Sequence, residues 1–153
     1  MEIKEFFGLN SEEQSYWLSK INEADWAAGK YLFSLLSENK FFALCGEKSK
    51  VFLLTDKKDL ISFCTYAQAD DIPNTELTPW IGFVFTFPAF RGKRRIEKLI
   101  EHICTLAKAD GFDSIYISTD QKGLYEHFGF SFFTTMKDMR GDTSFVYKRN
   151  FSL

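Results

Sequence analysis

One stretch constrains this chain more than any other. Trp80-Ile81-Gly82-Phe83-Val84-Phe85-Thr86-Phe87 is apolar on both faces of a pleat, which suits a strand covered on both sides. Pro88 stops it. After a short turn, Ile96, Leu99, Ile100, Ile103, Leu106 and Ala107 recur at three and four residues, the spacing of an amphipathic helix. Gly111 closes that helix, and Ile115-Tyr116-Ile117-Ser118 forms a second buried strand. Strand, helix and strand at this spacing predict a right-handed parallel crossover.

The rest of the chain arranges itself around that unit. Ser11 and Gln14 have the spacing of a capping box, and Tyr16, Trp17 and Ile21 mark a helix ending near Asn22. A second helix spans about 26–36, with Asn39 as its stop. Met1 to Phe7 shows no β-alternation. Val51 to Thr55 and Leu60 to Tyr66 are rich in β-formers and joined by Asp56-Lys57-Lys58-Asp59, which predicts a hairpin. A loop runs from Asp70 to Thr78. A short helix over about Lys122 to His127 ends at Gly129, and two strands, Phe130 to Thr135 and Ser144 to Arg149, close the chain. No repeat or linker interrupts it. The expected fold is α/β, one domain over residues 1–153, with a helical part over about 1–40 and a core over about 50–149.

Composition excludes several classes. Hydrophobic residues make up 45% of the 153, enough for a packed core and too many for disorder. Nineteen Lys and Arg against 21 Asp and Glu leave a net charge of −2, which argues against a general nucleic-acid binder. Cys45, Cys64 and Cys104 have no metal-ligand spacing, and neither His102 nor His127 has a ligand partner, so buried free thiols and no metal are expected. The N-terminus lacks a signal-peptide pattern and no apolar run is long enough to span a bilayer, which predicts a cytoplasmic protein without membrane contact.

Chemistry concentrates in the turn between the central strand and the long helix. The first turn of a helix has unpaired N–H groups and the positive end of the dipole. Four of the five residues from Arg91 to Arg95 are cationic, with Gly92 among them. Clustered positive charge is unfavourable at a helix N-terminus by roughly 0.3–1 kcal/mol per residue, and a bound polyphosphate would offset it. Arg91, Gly92, Lys93, Arg94, Arg95 and Ile96 are therefore the candidate anion site.

Two motifs in this order resemble the GNAT-type N-acetyltransferases over about Lys50 to Arg149. Pro88 to Ile96 is similar to the family's pyrophosphate loop, Arg/Gln-x-x-Gly-x-Gly/Ala, with Arg91 at the first position but Arg94 and Ile96 at the two small ones. Gly123-Leu124-Tyr125-Glu126-His127-Phe128-Gly129-Phe130 is close to the family's Leu-Tyr-x-x-Phe-Gly-Phe signature. The resemblance implies a mixed, mostly antiparallel sheet with a central splayed parallel strand pair, flanked by helices. It also implies acetyl-CoA as co-substrate. The pantetheine arm would lie in the gap against the backbone of Val84, Phe85 and Thr86, beside Thr119, Asp120 and Leu124. Tyr125 matches the phenol that protonates the departing thiolate.

The base is a carboxylate before the central strand or a water relay. Glu76 is the first choice and Asp70 and Asp71 are reserves. Those acids would draw a cationic amine to the acceptor end, where Trp80 and Phe83 would wall an apolar part of it. The expected function is acetyl transfer from acetyl-CoA to a primary amine of a small, amino-acid-like acceptor by direct attack, in a monomer or homodimer. The alternatives are a CoA-binding sensor or scaffold without turnover, and a protein or peptide N-acetyltransferase.

Overall fold

The computed structural model describes residues 1–151. One sheet of seven strands organises them: β1 (Glu2–Glu5), β2 (Lys50–Asp56), β3 (Asp59–Ala67), β4 (Trp80–Thr86), β5 (Ser114–Thr119), β6 (Ser131–Lys137) and β7 (Thr143–Asn150). Their order across the sheet is β1-β2-β3-β4-β5-β7-β6. Every neighbouring pair is antiparallel except β4 and β5, which run parallel. The mixed sheet with one central parallel pair is the fold class that the sequence predicts.

Helices cover both faces. α4 (Ile96–Ala109) makes the crossover between the parallel strands, and its Leu99, Ile100, Ile103 and Ala107 are buried against Ile81, Ile115 and Ile117. Each of the Leu and Ile side chains stabilises by ~1.5–3 kcal/mol. α1 (Ser11–Ile21), α2 (Ala27–Ser37) and α3 (Phe41–Cys45) pack on the opposite face, where Trp17, Ile21, Leu32 and Phe41 meet Leu53, Phe63 and Ala67. A third cluster, Ile72, Trp80, Tyr116 and Val146, continues that second face beneath the loop after β3. The loop therefore acts as a lid over the sheet where the helices stop. No helix among the described residues is long and apolar enough to cross a membrane.

The N-terminal segment corrects the sequence reading. Glu2–Glu5 is a strand, pairing antiparallel with β2 from Glu2↔Thr55 to Glu5↔Phe52. Four residues at a sheet edge, half-buried at best, need no apolar alternation; their register comes from a partner some fifty residues away. The cap of α1 also shifts by one residue. Asn10 is the N-cap, its side chain accepting from the Glu13 N–H at 2.9 Å, while Gln14 donates to the Leu9 carbonyl and makes no box with Ser11. A further short helix, α3, and a single 3₁₀ turn over Tyr125–Phe128 in place of the expected helix complete the differences. Gly129, at φ 85°, ends that turn in the left-handed region.

Asn10→Ala should lower stability by about 1 kcal/mol in urea unfolding, while Ser11→Ala should change it much less. The reverse ranking would return the cap to Ser11.

Candidate functional site

The parallel pairing of β4 and β5 lasts for only two residue pairs, Trp80↔Tyr116 and Ile81↔Ile117. Its end coincides with a bulge. Phe63 pairs with Phe85 and Thr65 with Gly82, so Cys64 of β3 faces two residues of β4, Phe83 and Val84. Phe83 has φ 50°. A bulge bends and twists its strand, and here it carries β4 away from β5. Beyond it the Phe87 N–H donates to Ile61 of β3 and the Phe85 carbonyl accepts from Ser62, so these two residues face β3. Alternation then directs the backbone groups of Val84 and Thr86 into the gap. The Thr86 carbonyl accepts from Arg91 Nε at 2.7 Å.

The turn into α4 lies at one end of this gap. The N–H groups of Gly92, Lys93, Arg94, Arg95 and Ile96 make no hydrogen bond to any described residue, and helical bonding begins with Glu97 and Lys98 donating to Arg94 and Arg95. Gly92 (φ 88°) and Arg94 (φ 52°) are both left-handed. Consecutive free amides in such a turn form a concave anion cradle at a helix N-terminus. Arg94 therefore adopts a backbone shape that glycine takes freely, at a cost of about 1 kcal/mol for a residue with a Cβ.

The cations of the turn divide their roles. The Arg91 guanidinium lies 5.2 Å above the Phe85 ring, Arg95 lies 5.7 Å from the Phe90 ring and donates to Met1 Sδ, and Lys93 is exposed. Arg94 turns away from the cradle: it pairs with Glu97 at 3.0 Å, donates to the His127 carbonyl at 2.7 Å and stacks over Phe128. Ile96 is half-buried against the α4 core. A groove of about 740 Å³ beside the turn is lined by Met1, Lys93, Arg94, Arg95 and Lys98, with Glu97 and Glu101.

Tyr125 belongs to the α4 face of the sheet. Its ring is 6% exposed, among Phe130 and Tyr147, and its hydroxyl bonds to no described residue. Burial, then the nearby Cys64 thiol and the Asp120 and Asp70 charges, hold the phenol protonated well above its usual range. Thr119 ends β5 and accepts the Gln121 N–H at 3.1 Å; Asp120 and Leu124 are exposed on the approach to Tyr125.

On the other face lies a residue that the sequence holds only in reserve. Asp70 folds back from the loop so that its carboxyl rests on the α-carbon of Gly82, where a Cβ would overlap it and would also press on Thr65 Oγ1 at 3.0 Å. Thr65 shares its sheet face with Phe63 and Ala67, the face of α1 and α2. Its hydroxyl is buried without a partner, as is Asp71 Oδ1. Loss of water, then the Asp71 charge, raises the Asp70 pKa to about 8. Cys45 also feels the Asp70 charge; burial is the main reason its thiol is pushed up to about 12.

Glu76 stays exposed in the loop, and Trp80 is fully enclosed, its Nε1 donating to the Leu77 carbonyl at 2.7 Å. Trp80 thus pins the loop and offers no surface to an acceptor. Phe83, half-buried, instead meets Tyr31 and lies near the helix α2 side of the gap. Sequence spacing had no means of finding Asp70, because only the fold-back of the loop sets it on Gly82. The one hint was a glycine inside an otherwise bulky central strand. Cys45, Cys64 and Cys104 are buried free thiols.

The sequence model of the family described as Acetyltransferase (GNAT) family matches residues 10–130. Similar solved structures include an acyl-CoA N-acyltransferase from Pseudomonas aeruginosa, with 21% identity, TM-score 0.64 and 97% of each chain covered. An acetyltransferase from Streptococcus agalactiae is 22% identical, with TM-score 0.64 and 98% of each chain covered. The PaiA N-acetyltransferase from Thermoplasma acidophilum, solved in complex with coenzyme A, is 12% identical, with TM-score 0.66, 99% of this chain and 100% of that chain covered. None of the curated proteins matches the sequence.

A carboxyl whose folded pKa is raised binds its proton more tightly than in the unfolded chain, so it stabilises the fold at low pH and less as pH climbs. Unfolding midpoints in urea should therefore fall as pH rises from about 4 to about 8, and Asp70→Asn should flatten that decline. An Asp70→Asn profile parallel to the parent would show that the proton is held elsewhere.

Proposed function

The chain belongs to the GNAT acetyltransferase family, and we propose that residues 1–153 act as one enzyme unit that moves the acetyl group of acetyl-CoA to a primary amine of a small-molecule acceptor by direct attack. The observation that carries this reading is the position of Asp70 and Tyr125 on opposite faces of the sheet, at the point where β4 parts from β5.

The residues present fit the co-substrate. The free amides from Gly92 to Ile96, within a cationic turn, suit a diphosphate, and the backbone of Val84 with the Thr86 N–H suits an amide-bearing arm laid along the gap. Acetyl-CoA supplies an activated acyl group there. Its carbonyl oxygen gains negative charge during attack, and a preorganised N–H facing that oxygen is typically worth ~3 kcal/mol.

Asp70 takes the proton from the acceptor ammonium. A lysine-like amine has a pKa near 10.4, so transfer to a carboxylate raised to about 8 is uphill by only roughly two units, against about six for an ordinary aspartate. The neighbouring Asp71 adds to the negative potential that gathers the cation. The neutral amine then attacks the thioester carbon from the α2 side; the C–N bond forms and the C–S bond breaks. Tyr125, kept protonated by its enclosure, gives its proton to the thiolate on the α4 side, and the second proton, shed by the nitrogen as the amide forms, restores the phenol by way of solvent. Asp70 thus takes the role that the sequence offered first to Glu76, because Asp70 touches the central strand and Glu76 points to solvent.

Thiol release from acetyl-CoA over a panel of small primary amines and N-terminal peptides tests the function. Turnover with free amines is expected; turnover with peptides alone would overturn the small-molecule acceptor, and binding of CoA without turnover would overturn the enzyme. Tyr125→Phe should lower kcat by about 10²-fold with CoA affinity little changed. Asp70→Asn should remove the rise of kcat/KM toward pH 8, and Glu76→Gln should leave that profile as it is.

A further inference from the structure

We propose that Arg94 is a positioning residue that couples the phosphate loop to the turn carrying Tyr125. The proposal rests on the reading of Tyr125 as the acid that protonates the thiolate. Arg94 stands where the resembling motif has glycine and lies at φ 52° in the left-handed region, so the fold spends strain to keep a long side chain at this position. The side chain does not enter the cradle. It crosses to the next motif, donating to the His127 carbonyl at 2.7 Å and lying 5.3 Å over the Phe128 ring, while Glu97, in the first turn of α4, holds the same guanidinium nitrogen at 3.0 Å.

His127 and Phe128 share a single 3₁₀ turn with Tyr125. The other restraints on that turn come from the sheet: Tyr147 of β7 bonds Glu126 at 3.1 Å, and Arg149 of β7 donates to the Phe128 carbonyl at 3.1 Å. Those two keep the turn folded. The Arg94 bond is the one, among the described hydrogen bonds, that joins it to the loop at Gly92–Ile96. A diphosphate held on the loop amides thus fixes, through Arg94, where the Tyr125 hydroxyl stands relative to the sulfur at the far end of the same molecule. Misplacement by about 1 Å is enough to lose roughly 10²-fold in rate.

A double-mutant cycle on the full chain tests this, with kcat read by thiol release and the Kd for CoA by calorimetry. Arg94→Ala should lower kcat by about tenfold or more while the Kd changes by less than about threefold, and Tyr125→Phe, costing about 10²-fold in the parent, should cost less than about tenfold in the Arg94→Ala background. Arg94→Gly, which suits the left-handed backbone, should behave alike and serves if the alanine variant does not fold. Arg94→Lys, keeping one donor, should recover part of kcat. A full Tyr125→Phe effect in both Arg94 backgrounds, or a weakened Kd with kcat unchanged, overturns the coupling. A Tyr125→Phe variant of the parent chain with normal kcat overturns the acid assignment itself, and the coupling with it.

Discussion

The early end of the β4–β5 ladder is the constraint on which the site depends. Two parallel residue pairs hold the strands together, and the bulge at Phe83 and Val84 then forces them apart. A continuous sheet would have joined the two faces into one closed layer, with every backbone group of β4 satisfied. The bulge instead leaves the backbone of Val84 and the Thr86 N–H directed into a gap, the Thr86 carbonyl being taken by Arg91, and unpaired backbone groups in a protein interior call for a partner. Neighbouring packing sustains the distortion: Phe85 stacks between Phe63 and Trp26, which fixes the strand just beyond the bulge.

Charge then distinguishes the two sides of that gap. A net charge of −2 conceals a separation into a cationic turn at the entry of α4 and a pair of carboxyls against Gly82 on the α2 face. The cations are not interchangeable, because Arg91 caps the Thr86 carbonyl, Arg95 lies over Phe90, and Arg94 belongs to the Tyr125 turn. The cradle itself is backbone, oriented by the left-handed residues. The cationic side chains set the surrounding potential and the stiffness of the loop.

The elements legible in the sequence are those whose signal is local. Ile96 to Ala107 on α4, and the doubly apolar β4, carry periodicity that no tertiary contact overrides. The strand at Glu2–Glu5 is illegible for the opposite reason: it is short, it lies at the edge, and its pairing with β2 is entirely long-range. Arg94 shows a subtler failure. Residue identity suggested a departure from a glycine position, whereas the backbone angle of 52° lies in the left-handed region that glycine favours. A motif written in letters does not record φ. Tyr125 was visible because its neighbours Phe128, Gly129 and Phe130 form a compact local turn, and Asp70 was obscured among three loop acids of equal appearance.

Those three acids separate once burial is considered. Glu76 stays exposed in the loop and keeps its water. Asp70 loses water because Gly82 lacks a side chain and lets the carboxyl settle on the strand, and Asp71 adds a like charge. The same spot contains Thr65 Oγ1, a fully buried hydroxyl with no partner, a state that costs roughly 1–3 kcal/mol. A fold that tolerates an orphaned hydroxyl, a crowded carboxyl pair and a bulged strand within one small region concentrates its unfavourable terms there, and leaves the α4 face well packed. Broken local rules collected in one place mark a functional site, which is why the proposed acceptor side rests on the Thr65, Asp70 and Gly82 geometry more than on any loop charge.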